Sequence, residues 1–193
     1  MTEDGMRGAV IAHLVERPLA TANRVDPVRE GWSSSIGHGG GPGADPATIE
    51  FVKTKSFPTC QLHEVDYINH KGWGMHSLIK TWQDEDGMWK AHSLGGGAGP
   101  GPDRRRPWVN FCAGFGPESF TGGGHVVGEG AEKARTVRLT FANDVLIEDT
   151  VDDGVVLFFE ARAVVAPADV SVFDEAGATL ASYREFADFA PSS

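Results

Sequence analysis

Residues 136–159 read TVRLTFANDVLIEDTVDDGVVLFF, and the fold is decided there. Val137, Leu139 and Phe141 alternate with Thr136, Arg138 and Thr140, the period of two that marks a half-buried strand. Asn143-Asp144 is a hairpin turn signal. A second strand follows over Val145 to Val151, with Val145, Ile147 and Val151 in phase. Asp152-Asp153-Gly154 turns the chain again. Val155 to Phe159 is apolar throughout, so it reads as a central strand covered on both faces. Downstream, Asp169 to Phe173 and Thr179 to Tyr183 form a hairpin around Glu175-Ala176-Gly177. Strands recurring about every 8–12 residues with turns between them indicate a sandwich or barrel. Connections this short imply antiparallel pairing.

Working toward the N-terminus, Gly122-Gly123-Gly124 reads as a hinge and Trp108 to Phe115 as an apolar strand. Gly95 to Pro107 (GGGAGPGPDRRRP) is a long Gly/Pro-rich loop, of the kind that is either functional or disordered. Residues 59–93 read as a three-stranded meander, with turns at His70-Lys71-Gly72 and at Gln83 to Gly87. Gly supplies the positive φ that such turns need. Thr48 to Lys55 is a further strand, with Ile49, Phe51 and Lys53 expected on one side and Glu50 and Val52 on the other. Residues 33–47 are a Ser/Gly/Pro linker. Residues 5–16 form a short helix with Met6, Ala9, Val10, His13 and Leu14 on one face, and Pro18 ends it.

The expected fold is all-β: an antiparallel β-sandwich with a short N-terminal helix and long Gly/Pro-rich loops. Its strand rhythm resembles that of immunoglobulin-like sandwiches, although no Cys…Trp…Cys spacing accompanies it. Three segments are expected. Residues 1–47 are helix and linker, 48–125 a Trp- and His-bearing meander and loop region, and 126–193 acidic sandwich strands, with 48–193 forming one domain.

Composition restricts function. The chain has 193 residues, 17 Lys plus Arg against 27 Asp plus Glu, and a formal charge of -10. Such a chain repels phosphate backbones, and its one dense basic run is Arg104-Arg105-Arg106, so nucleic-acid binding is disfavoured. Residues 126–193 hold 13 acids and 5 bases. All seven His, all five Trp and both Cys lie before them, which places any chemistry in the first 125 residues. Gly 25 and Pro 11 exclude a helical bundle, because each costs a helix interior about 1–3 kcal/mol. No apolar run approaches the ~20 residues of a membrane helix. Glu3, Asp4 and His13 disagree with a signal peptide, so a cytoplasmic location is expected. Cys60 and Cys112 could form one bridge, but spacing alone does not decide it. Nucleotide-binding glycine loops, the GxSxG elbow and the HExxH motif are all missing.

Two sets of residues remain as candidate sites. Trp73, Trp89 and Trp108 can anchor a partner, and Arg104, Arg105 and Arg106 can fork onto a carboxylate or phosphate. They suggest a non-catalytic binding or protein-interaction module without a cofactor, whose partner is another protein or a second copy of itself. The alternative is a metal-dependent enzyme. His63, His70 and His76, with Asp66 or Glu64, offer the imidazole and carboxylate donors that zinc or iron favours. His63 and His70 are an odd number apart, so only a turn or bulge could bring them together. Cys112 with His125 is a weaker nucleophilic pair, and its apolar neighbours suggest burial instead. Asp84 to Asp86 and Glu148 to Asp153 read as solvated acidic turns. A third possibility is a structural homo-oligomer that pairs through sheet edges.

Overall fold

The computed structural model describes residues 3–15, 43–69, 72, 74–95, 105–116 and 118–187. Their order begins with α1 (Glu3–Val15), then β1 (Glu50–Ser56), β2 (Gln61–Ile68), β3 (Gly74–Gln83), β4 (Trp89–Gly95), β5 (Trp108–Gly116) and β6 (Ser119–Val127). It continues with β7 (Thr136–Phe141), β8 (Leu146–Thr150), β9 (Val155–Glu160), β10 (Ala168–Phe173) and β11 (Thr179–Glu185). All pairing between these strands is antiparallel, in three sheets. The architecture is mostly β and β-sandwich-like, as its strand periodicity predicts, with one short α-helix among the described residues. No helix among the described residues is long and apolar enough to cross a membrane. The chain divides into two units, Met1–Gly99 and Pro100–Ser193.

The first unit is the sheet β1-β2-β3-β4 with α1 packed on β3 and β4. Met6, Val10 and Leu14 recur every four residues, form the buried stripe of α1 and meet Val65 of β2 and Ile79 of β3. Each such side chain contributes about 1.5–3 kcal/mol when fully buried. The expected alternation of β1 fails at one point. Phe51 stands opposite Val65 on the helix side, whereas Lys53 stands opposite Glu64. A bulge between Phe51 and Lys53 adds one residue and flips the phase, so Lys53 does not share a face with Phe51. The 83–87 turn is held by Asp84, whose Oδ1 accepts from the amides of Asp86 (3.1 Å) and Met88 (2.8 Å). A hydrogen bond from Lys90 and that from the Met88 amide hold its carboxyl below the usual range.

The second unit pairs a four-stranded sheet, β11-β10-β7-β8, with a three-stranded one, β5-β6-β9. Val137, Leu139 and Phe141 of β7 and Val170 and Val172 of β10 face Val109, Phe120, Val126, Val156 and Phe158 across one core. Phe115, Phe120, Phe141 and Phe186 form an aromatic centre, with Phe120 and Phe141 rings 5.0 Å apart and Phe115 and Phe120 rings 5.1 Å apart. The Asn143-Asp144 turn forms where predicted, with Asp144 at φ 60° and its amide donating to the Phe141 carbonyl.

Three local expectations are overturned here. Val155 to Phe159 belongs to an edge strand, β9, although Val155 to Phe158 are buried on both faces. β9 follows β8 through the tight Asp152-Asp153-Gly154 turn yet pairs with β6 in the other sheet. Gly122-Gly123-Gly124 is no hinge but the middle of β6, with β5 on one side and β9 on the other.

The acidic run 148–153 holds the third. Asp149 is buried, and its Oδ2 accepts the backbone N–H of Leu157 on the β9 edge at 2.7 Å. On the opposite edge of the same sheet, the Tyr183 hydroxyl accepts the N–H of Val109 at 2.7 Å. A side chain from the four-stranded sheet thus caps each edge of the three-stranded one, which removes a free amide from each. Asp149→Ala strands the buried Leu157 amide. It should lower unfolding free energy in urea by about 1–3 kcal/mol, while Asp149→Asn, which keeps an acceptor oxygen, should recover most of the loss. Equal stability of the alanine variant and the parent protein would refute the capping role.

Candidate functional site

β2 and β3 pair so that His63 lies opposite Ile79, Glu64 opposite Leu78 and Asp66 opposite His76. Directly opposed residues share a face. His63 therefore projects to the α1 side, while Glu64, Asp66 and His76 project to the other. On its side His63 is fully buried. Its Nδ1 lies 3.0 Å from Thr54 Oγ1 and its Nε2 2.8 Å from Thr81 Oγ1. The ring packs edge-on to Phe51 at 5.6 Å, and Arg7 sits over the same Phe51 ring at 4.3 Å. Burial, with the nearby Arg7 charge, pushes the His63 pKa down to about 4. It is a neutral imidazole held between two hydroxyls at neutral pH.

On the other face, Glu64 is fully buried, and its Oε1 lies 3.0 Å from Nδ1 of the one-fifth exposed His76. The pair can share a proton or offer two metal ligands. Asp66 lies on that face directly opposite His76. The structure therefore brings Glu64, Asp66 and His76 to one face and leaves His63 on the other. His70 lies outside the described residues.

Trp89 is half-buried against the helix–sheet core. Trp73 and Arg104 lie outside the described residues, as do 33–42 and 96–104 of the two Gly/Pro-rich stretches. Cys60 and Cys112 are both buried and are not joined by a disulfide, and burial pushes the Cys60 thiol up against an opposing effect of Lys80. Cys112 opposes Gly123 and His125 opposes Asn110, so thiol and imidazole are diagonal neighbours on one face of β5–β6.

The remaining candidates gather at the entry to β5 in the second unit. Arg105 and Arg106 are exposed, Pro107 is buried and Trp108 is half-buried. The segment rests on the turn that follows β6. A Cβ at Gly128 would stand 2.4 Å from the Arg106 carbonyl oxygen and 3.2 Å from Trp108 Cδ1, and Gly128 has φ +102°. Glycine is thus required for the close approach that fixes the Arg106 backbone and seats the indole. A Cβ at the nearby Gly130 would stand in ordinary van der Waals contact with Pro107, 3.8 Å from its Cγ. The Arg106 backbone and the Trp108 indole are thus held against one turn, with the exposed Arg105 next in the chain, and arginine is the residue type suited to a carboxylate or phosphate.

Asp149 and Tyr183 escaped the sequence reading as structural polar groups. Asp149 had a signal, since it follows Ile147 by two residues and so shares the inward phase of β8.

Comparison with protein-family models, with curated proteins and with solved structures finds no match. The class is therefore defined by architecture alone: a β-rich, antiparallel, β-sandwich-like protein with a single short helix among its described residues.

Proposed function

We propose that the chain is a non-catalytic binding or protein-interaction module that recognises an anionic protein partner through Arg105, Arg106 and Trp108. The observation that carries this reading is the seating of the Arg106 backbone and the Trp108 indole on the Gly128 turn, with the exposed Arg105 next to Arg106 in the chain. Backbone anchoring lowers the ordering cost of binding. Arginine supplies forked donors, and the ring supplies apolar area at low entropic cost. Two cysteines that no disulfide joins suit a reducing compartment such as the cytoplasm.

A Glu-rich decapeptide is the simplest probe. Titrated into the full chain at low salt, it should bind saturably. Affinity should fall at least about tenfold in Arg105→Ala/Arg106→Ala, a loss on the order of two charge-assisted contacts, and should weaken with added salt. The circular dichroism of the variant should match that of the parent. Absence of saturable binding to the parent chain, or equal affinity for both, overturns the proposal.

A further inference from the structure

We propose that His13 is a pH-sensitive latch holding the last turns of α1 against the edge strand β4. Its Nε2 accepts the backbone N–H of Ser93 at 3.2 Å and lies 2.9 Å from Ser93 Oγ. An amide can only donate, so Nε2 carries no proton and the neutral ring bears its proton on Nδ1. Ser93 is buried, at 8% exposure. It stands beside the β3–β4 register shift, where the ladder is interrupted. Protonation at Nε2 converts the acceptor into a donor. The Ser93 amide then faces another N–H instead of an acceptor at this part-buried contact, and a buried donor that loses its acceptor favours opening.

Among the described residues, the ionisable side chains of β3 and β4 face away from this contact. On β4, Lys90 and His92 alternate with Ser93 and project to the far face, and on β3 His76 and Lys80 do the same. On the helix face, the ionisable side chains of β2 are His63 and Tyr67. His63 titrates near pH 4. On α1, Asp4 and Arg7 lie nine and six residues before His13, and Asp45 follows Ala44, whose amide bonds the Leu14 carbonyl. Met6, Val10 and Leu14 are apolar anchors indifferent to pH. Protonation therefore loosens the helix end locally and leaves the rest of α1 seated.

Amide hydrogen exchange at Ser93 in the full chain, corrected for the intrinsic pH dependence of exchange, tests the latch. Between pH 7.5 and 5 the opening equilibrium should rise at least about tenfold in the parent protein, as loss of one buried hydrogen bond implies. In His13→Gln, whose side-chain oxygen accepts from Ser93 without titrating, it should change less than about twofold. His63→Gln should keep the full step. A parent chain without the step, a step that persists in His13→Gln, or a step lost in His63→Gln would each overturn the latch.

Discussion

Alanine at Gly124 is expected to unfold the three-stranded sheet of the second unit. A Cβ there would lie 1.9 Å from the Asn110 carbonyl oxygen, 2.8 Å from its carbonyl carbon and 3.3 Å from the Phe111 Cα, at φ +156°. Every one of these atoms is backbone of β5, which is paired to β6 along its length. Relief requires the strands to part, and no side chain can rotate away to absorb the methyl group. Overpacking that side chains can accommodate costs about 1–3 kcal/mol, so this loss should exceed about 3 kcal/mol, a large share of the 5–15 kcal/mol typical of a domain. Gly122→Ala is the internal comparison. Its nearest contact is the Phe120 ring, at 2.7 Å, and a ring edge can shift. Thermal unfolding of the two variants should rank Gly124→Ala well below Gly122→Ala. Equal melting temperatures would contradict the close-packed reading of β6.

Acidification should weaken the first unit through His63. In the folded protein its pKa is about 4, against an ordinary value of 6.5. The unfolded chain therefore binds this proton more readily. The stability that rests on a neutral His63 is fully present above pH 6.5. It is lost as pH falls toward 4, below which both states are protonated. A gap of this size corresponds to about 3 kcal/mol at the acid end. His63→Gln can hydrogen-bond to the same threonines without titrating. Urea unfolding at pH 7 and pH 4.5 should show the parent protein losing about 2 kcal/mol more than the variant over that interval. Carboxylates common to both proteins cancel in the comparison, so parallel losses would show that His63 does not carry the effect.

These two residues also mark where the chain's local pattern stops being informative. Strand alternation in 136–141, the Asn143-Asp144 turn, the meander of 59–93 and the Met6-Val10-Leu14 stripe are all legible, because period and turn chemistry are local properties. The partnership of His63 is not legible. Which side chains share a face depends on the β2–β3 register, which places Asp66 rather than His63 opposite His76. The bulge at Phe51–Lys53 similarly reverses the phase of β1 without a mark in its alternation. Gly122-Gly123-Gly124 looked like a hinge because three glycines lack local order of their own. Their role appears only when neighbouring strands approach too closely for a Cβ.

By itself the sequence determined a β-rich, antiparallel chain that opens on an amphipathic helix, since hydrophobic period and turn residues act over a few positions. Tertiary structure alone decided that β9 leaves β8 for the other sheet, that Asp149 and Tyr183 close the sheet edges, and that His63 and His76 face apart. It also placed Arg106 and Trp108 on the Gly128 turn. Each of these depends on which strands meet and in what register. Pairing between residues distant in the chain is set by the summed burial of the core, and no short window of sequence contains it.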